Sequence, residues 1–177
     1  PTSAKEFVQV IELIGKLQTE LDLPADLKLV LISNGSLMYR EEVQQGLRLM
    51  NQHNGEVWFK LDRASAAGME SVNNTRLEMG KVRKNLATAI ALCPTWLQTC
   101  WFAMDGSAPA KQDEDDYLDF IAGLLRDNIR LRGVLLYSLA RPSLQPEAPR
   151  LQALTVPQME VFAARIRQLG VVVKVAA

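Results

Sequence analysis

Residues 27–36 read Leu-Lys-Leu-Val-Leu-Ile-Ser-Asn-Gly-Ser, three positions after Pro24. The apolar run from Leu27 to Ile32 is too short for a helix and has the look of a buried strand. Asn34 and Gly35 tolerate positive φ, so the chain can turn sharply as the strand ends. Upstream, Phe7, Val10, Ile11, Ile14 and Leu17 fall on one helical face, and Ser3 with Glu6 has the spacing of a capping box. Downstream, the spacing predicts a helix from Arg40 to His53, ended by Asn54-Gly55, and a second strand from Val57 to Leu61.

The same alternation continues to the end of the chain. Thr75 and Glu78 repeat the capping-box spacing before a helix with Val82, Leu86, Ala89 and Ile90 on its apolar face, closed at Cys93-Pro94. Trp96 to Met104 reads as a strand. Tyr117, Phe120, Ile121, Leu124 and Leu125 mark a fourth helix, and Val134 to Leu139 a fourth strand. The last helix is capped by Thr155, carries Met159, Phe162, Ala163 and Ile166, and stops at Gly170 before a strand from Val171 to Val175. A helix-strand order repeated five times, with strands that are nearly continuous apolar runs, predicts a single α/β domain over 1–177. Its sheet is parallel, either covered on both faces or closing toward a barrel.

The connections are unequal. Helix-to-strand links are short: Asn54 to Glu56, Pro94-Thr95, and little beyond Gly170. Strand-to-helix links are long: Ser33 to Tyr39, Asp62 to Asn74, Asp105 to Gln112, and Ala140 to Leu154. Long loops are costly to order, and in barrels and open parallel sheets ligands bind at the strand ends those loops leave. The asymmetry therefore points to a small-molecule site there. A chain opening on a helix, with Pro1-Thr2 directly before it, also lacks the strand that should feed that helix, which is the expectation for a fragment.

Composition narrows the class. The 177 residues are 48% hydrophobic and 23% charged, with 20 basic and 20 acidic side chains. A balanced charge gives no support to phosphate-driven nucleic-acid binding. Cys93 and Cys100 make neither a disulfide framework nor a zinc pattern, and the single histidine, His53, argues against a His-rich metal site. With no membrane-length apolar stretch and no signal peptide at the start, a cytoplasmic protein without membrane partners is expected.

Candidate site residues cluster at the strand ends, each with a structural alternative. Ser33 to Ser36 can aim N–H groups and the Asn34 amide at a ligand, or serve only as a turn. Lys60 and Asp62 straddle the end of the second strand and fit an ion pair or a ligand site. Gln98, Cys100 and Phe102 share one face of the third strand, with Thr99 and Trp101 on the other. The Gln98 amide needs a partner, which a ligand or a neighbouring backbone would supply. Tyr137, Ser138 and Arg141 end the fourth strand, where Arg141 before Pro142 can present a fixed guanidinium to a carboxylate or phosphate, or form a salt bridge. The Asp113–Asp116 run reads as a helix start, and Arg76, Lys81, Arg83 and Lys84 as a solvated helix face. No nucleophile elbow, Walker loop or Gly-x-Gly-x-x-Gly occurs.

Taken in order, Pro1-Thr2, Ile32-Ser33-Asn34-Gly35, Phe59-Lys60-Leu61-Asp62, Leu97-Gln98-Thr99 and Leu136-Tyr137-Ser138-Leu139-Ala140-Arg141-Pro142 resemble radical S-adenosylmethionine (SAM) enzymes, in particular the iron–sulfur oxidoreductase-like group. The resemblance implies a partial (β/α) barrel of the TIM-like radical SAM type, with Pro1-Thr2 as the tail of a Gly-Glu-Pro motif. The strands at Leu27, Val57, Trp96 and Val134 would then be the third to sixth. It implies SAM and a 4Fe-4S cluster as cofactors, and a flavodoxin or ferredoxin as electron donor. The intact enzyme would cleave SAM reductively to start radical chemistry on a substrate. Asn34, Lys60, Asp62, Gln98 and Thr99 would face SAM, and Tyr137 and Arg141 adenine or substrate. The chain departs from the family in having two cysteines, so the Cys-x3-Cys-x2-Cys cluster loop is not within it, and this chain alone would be inactive. The alternative is a module without a cluster that binds SAM or another nucleotide as a sensor or partner.

Overall fold

The computed structural model describes residues 2–75 and 78–176. Its helices are α1 (Phe7–Glu20), α2 (Glu41–Gln52), α3 (Ala66–Asn73), α4 (Met79–Leu92), α5 (Lys111–Arg126) and α6 (Val156–Arg167). Its strands are β1 (Leu29–Ser33), β2 (Gly55–Lys60), β3 (Thr95–Cys100), β4 (Phe102–Met104), β5 (Gly133–Tyr137), β6 (Leu151–Ala153) and β7 (Val173–Ala176). Five strands form one sheet in the order β1-β2-β3-β5-β7, and β4 and β6 form a separate antiparallel ribbon. The β1–β2 and β5–β7 pairs are parallel. Hydrogen bonds from Val57 N to Pro94 O and from Leu61 N to Gln98 O advance in step along both chains, as parallel strands do. Contacts gather the residues into two compact units, Pro1–Lys60 with Gly80–Trp96, and Leu61–Met79 with Leu97–Ala177.

Burial alternates along the strands. In β2, Val57 and Phe59 are buried, while Glu56 and Trp58 are only partly covered and Lys60 is exposed. In β5, Val134 and Leu136 are buried, while Leu135 and Tyr137 are partly covered. A doubly wound sheet would bury both sets, because helices lie on both faces. In β2 and in β5 one face is therefore covered and the other is partly open, as on the wall of a (β/α) barrel. The fold is α/β, with a parallel five-stranded sheet of this kind.

In the first unit, α1 buries Phe7, Ile11 and Gly15, and α2 buries Val43, Gly46, Leu47 and Met50, each set at helical spacing. The helices approach closely because Gly46 has no side chain: a Cβ there would sit 2.3 Å from the Phe7 ring. In the second unit, Trp101 stacks on Phe162 of α6 with centroids 4.4 Å apart, and Tyr117 of α5 meets both rings edge-on. Arg165 of α6 pairs with Glu114 and Asp115 of α5, which ties the two helices together.

Several expectations need correction. The Ser3–Glu6 capping box does not form, because residues 2–6 are already a series of turns and the helix starts only at Phe7, with no side-chain cap on Glu6. The first strand starts at Leu29, since Leu27 is held in a turn by Pro24 O and by the Asn54 side chain. The run from Trp96 to Met104 is two strands in two sheets, so Phe102 does not continue the face of Gln98 and Cys100. The segment from Asp62 to Asn74 contains α3, capped by Ser65 Oγ accepting from Gly68 N at 3.2 Å. The loop after β5 contains β6. The capping spacing of Thr75 and Glu78 runs through residues 76 and 77, and these, like Pro1, lie outside the described residues; the Thr75 hydroxyl donates to Asn73 O. Gln158 accepts from both the N–H and the hydroxyl of Thr155, so the last helix is capped where expected.

Candidate functional site

The second unit brings together Asp62, Gln98, Thr99 and Tyr137. Asp62 follows β2 and is 6% exposed. Its Oδ1 accepts from Cys100 N at 2.9 Å, and its Oδ2 from the Asn73 amide at 2.9 Å. The carboxylate thus fixes the end of β3 and the end of α3 to one point. Arg63, the next residue, is 4% exposed and lies over the Trp101 ring at 4.2 Å. Burial holds the Arg63 guanidinium below its ordinary pKa, offset by the charges of Asp113 and Asp62. It donates to Asp62 O and stands 3.7 Å from Asp113.

The two faces of β3 differ. Thr99 is fully buried on the helix side, where its Oγ1 donates to Leu61 O at 3.0 Å and lies 2.5 Å from the Tyr117 hydroxyl. Gln98 is on the other side, and its buried Oε1 has no hydrogen-bond partner among the described residues. Alternation puts Cys100 on the Gln98 side, where it is close enough to act on the Tyr137 phenol of β5. Burial raises the Tyr137 phenol well above its ordinary range, reinforced by Cys100 and the Asp62 charge. The phenol stays protonated at neutral pH and can donate. An amide carbonyl and a phenol on one half-open face suit a planar polar ligand that offers an N–H donor. Arg141, beyond β5, is exposed in the loop that follows.

Asn34 and Lys60 belong to the first unit. Asn34 is exposed, with its Oδ1 accepting from Ser36 N at 3.1 Å, while Ser33 Oγ accepts from Gly35 N at 3.1 Å. Gly35 has φ +71°, and a Cβ there would be 2.0 Å from the Phe59 ring. Two N–H groups of this turn are therefore taken up within it, and glycine is required by packing. Lys60 is exposed.

The other charged candidates are structural. Asp113 accepts from Ala110 N at the start of α5, Asp115 pairs with Lys111, and Asp116 accepts from Gln112. His53 closes α2, and its ring fills the space beside Gly15. Sequence reasoning missed Asn73 and Arg63. Asn73 has no visible signal, because α3 is short and weakly patterned, and Arg63 lies in the same segment with no motif around it.

No protein-family model matches the sequence, and no curated protein matches it. Solved structures do. The likeness is one of fold. One match is the crystal structure of a domain of pyruvate-formate lyase-activating enzyme from Bacteroides vulgatus ATCC 8482, with a TM-score of 0.61 and 11% identity over 98% of this chain and 96% of that one. Another is a radical SAM methyltransferase from Sphaerobacter thermophilus, with a TM-score of 0.61 and 13% identity over 90% of this chain and 43% of the methyltransferase. The chain thus spans less than half of that methyltransferase.

Proposed function

We propose that this chain is part of a radical SAM enzyme and supplies wall residues for SAM and substrate. The observation that carries the reading is the unpartnered Gln98 Oε1 on the open face of β3, beside Tyr137 and Cys100. A buried amide oxygen left without a donor costs about 1–3 kcal/mol. A bound ligand that offers an N–H recovers this, and the adenine amine of SAM is such a donor. Asp62 holds the end of β3 through Cys100 N, Tyr137 stands on the next strand, and Arg141, in the loop after it, is the candidate for the substrate side. When bound, SAM supplies a 5′-deoxyadenosyl group for hydrogen abstraction.

The residues present fit SAM but not the cluster. Among the described residues no group of three or more His, Cys, Asp or Glu could hold a metal. Cys93 is sealed in the core, its thiol pushed up to about 12 by burial first and the Glu56 charge second. Cluster ligands would come from outside this sequence, so the reading predicts Cys-x3-Cys-x2-Cys encoded before Pro1. In a protein carrying that loop, alanine at its cysteines should abolish 5′-deoxyadenosine formation from SAM under a low-potential reductant such as flavodoxin or ferredoxin. Undiminished cleavage would sink the proposal. The same lack of cluster ligands favours a second reading, a SAM- or nucleotide-binding module without catalysis, which the absence of such a loop would leave standing.

A further inference from the structure

The open face of the first unit carries a carboxylate with an unusual environment. Glu56 is the second residue of β2 and is partly buried. Its Oε1 accepts from Trp58 Nε1 at 2.8 Å and its Oε2 from Trp96 Nε1 at 3.2 Å. Val30 of β1 stands opposite Glu56 in register and Ile32 opposite Trp58, with Ile32 46% exposed. The surroundings are apolar and accessible. Among the described residues no lysine, arginine or histidine pairs with Glu56, and its charge is felt by the buried Cys93 thiol.

Two indole donors hold this carboxylate in one orientation without neutralising it. A partly desolvated anion in an apolar setting attracts a cation more strongly than a surface carboxylate does. We infer that Glu56, Trp58 and Trp96 form a subsite for the primary ammonium group of a small amine, distinct from the site at Gln98 and independent of the function proposed for it.

The donor set discriminates among cations. Each oxygen already accepts one N–H, so the paired lone pairs that a guanidinium fork prefers are partly used, whereas a compact ammonium needs only one. A quaternary ammonium cannot hydrogen-bond and depends on open aromatic surface. Trp96 offers little of that, at 8% exposed. Primary ammonium should therefore bind best of the three, with Trp58 and Val30 lining its alkyl chain.

The three tryptophans, Trp58, Trp96 and Trp101, give the test a built-in control. The full chain, labelled at the indole nitrogens, is titrated at constant ionic strength with n-butylammonium, guanidinium, tetramethylammonium and neutral 1-butanol. The expected result is saturable movement of the Trp58 and Trp96 Nε1–H signals with n-butylammonium, weaker effects from the other two cations, and none from butanol. Trp101, stacked on Phe162, should stay still. Glu56→Gln keeps an acceptor for one of the two indoles and removes the charge, and should weaken binding at least ten-fold. Glu56→Asp keeps the charge but withdraws it, and should weaken binding as well, which covers a loss of folding in the first variant. No saturable shift in the wild type, equal binding by folded Glu56→Gln, or equal movement of Trp101 would each overturn the subsite.

Discussion

The two faces of β3 are made from neighbouring residues and end in opposite states. On one, Thr99 bonds both the Leu61 carbonyl and Tyr117, and Trp101, just beyond the strand, is closed over by Tyr117 and Phe162. On the other, Gln98 keeps a buried oxygen without a donor, and Cys100 and Tyr137 remain partly covered. The sealed face accounts for stability. The unsatisfied one is where a ligand gains most, because stability that the protein forgoes there becomes available to binding.

The comparison can be broken from its sealed side first. Trp101→Ala should cost about 3–5 kcal/mol in urea unfolding, since it empties a stack of three rings and uncovers Arg63. A cost near 1 kcal/mol would mean that this face is not the core of its unit. Asp62→Ala should cost about 2–3 kcal/mol by removing two hydrogen bonds to a buried charge.

Cys93 provides a pH signature of sealing. Its folded thiol pKa is raised to about 12, so between the unfolded value of about 8.5 and about 12 the folded state holds a proton that the unfolded state has lost. This contribution is full below pH 8.5 and is lost as pH rises through that window; Cys93→Ala should flatten the alkaline fall in melting temperature. A thiol reagent at pH 8 should label Cys100 well before Cys93 in the native protein.

On the open side the effects on stability shrink. Gln98→Leu should be neutral or stabilise by about 1 kcal/mol, because it removes an orphaned acceptor. Asn34→Ala, at an exposed turn, should stay within about 0.5 kcal/mol in the same unfolding assay.

Periodicity made the five helix-strand units legible, because each buried helical face and each short apolar strand carries its own repeat. It could not show α3, whose eight residues bury only Gly68 and Met69. Nor could it divide residues 96–104, where apolar character continues past Cys100 while the chain changes sheets. For the site, strand-end position offered Asn34, Lys60, Asp62, Gln98, Thr99, Tyr137 and Arg141 without saying which of them lie together. Hydrogen bonds add what position could not show: the Asn34 amide oxygen accepts within its own turn, and the Thr99 hydroxyl bonds on the helix side. Glu56 was overlooked because a glutamate near two tryptophans in strands is visible only once β2 and β3 lie side by side.

The most direct test of the central claim is calorimetric titration of SAM into the full chain, wild type and Gln98→Leu, with melting temperatures measured alongside. The account predicts saturable binding to the wild type and at least ten-fold weaker binding to Gln98→Leu at an equal or higher melting temperature. Equal affinity in the two proteins, or no binding to the wild type, would contradict it.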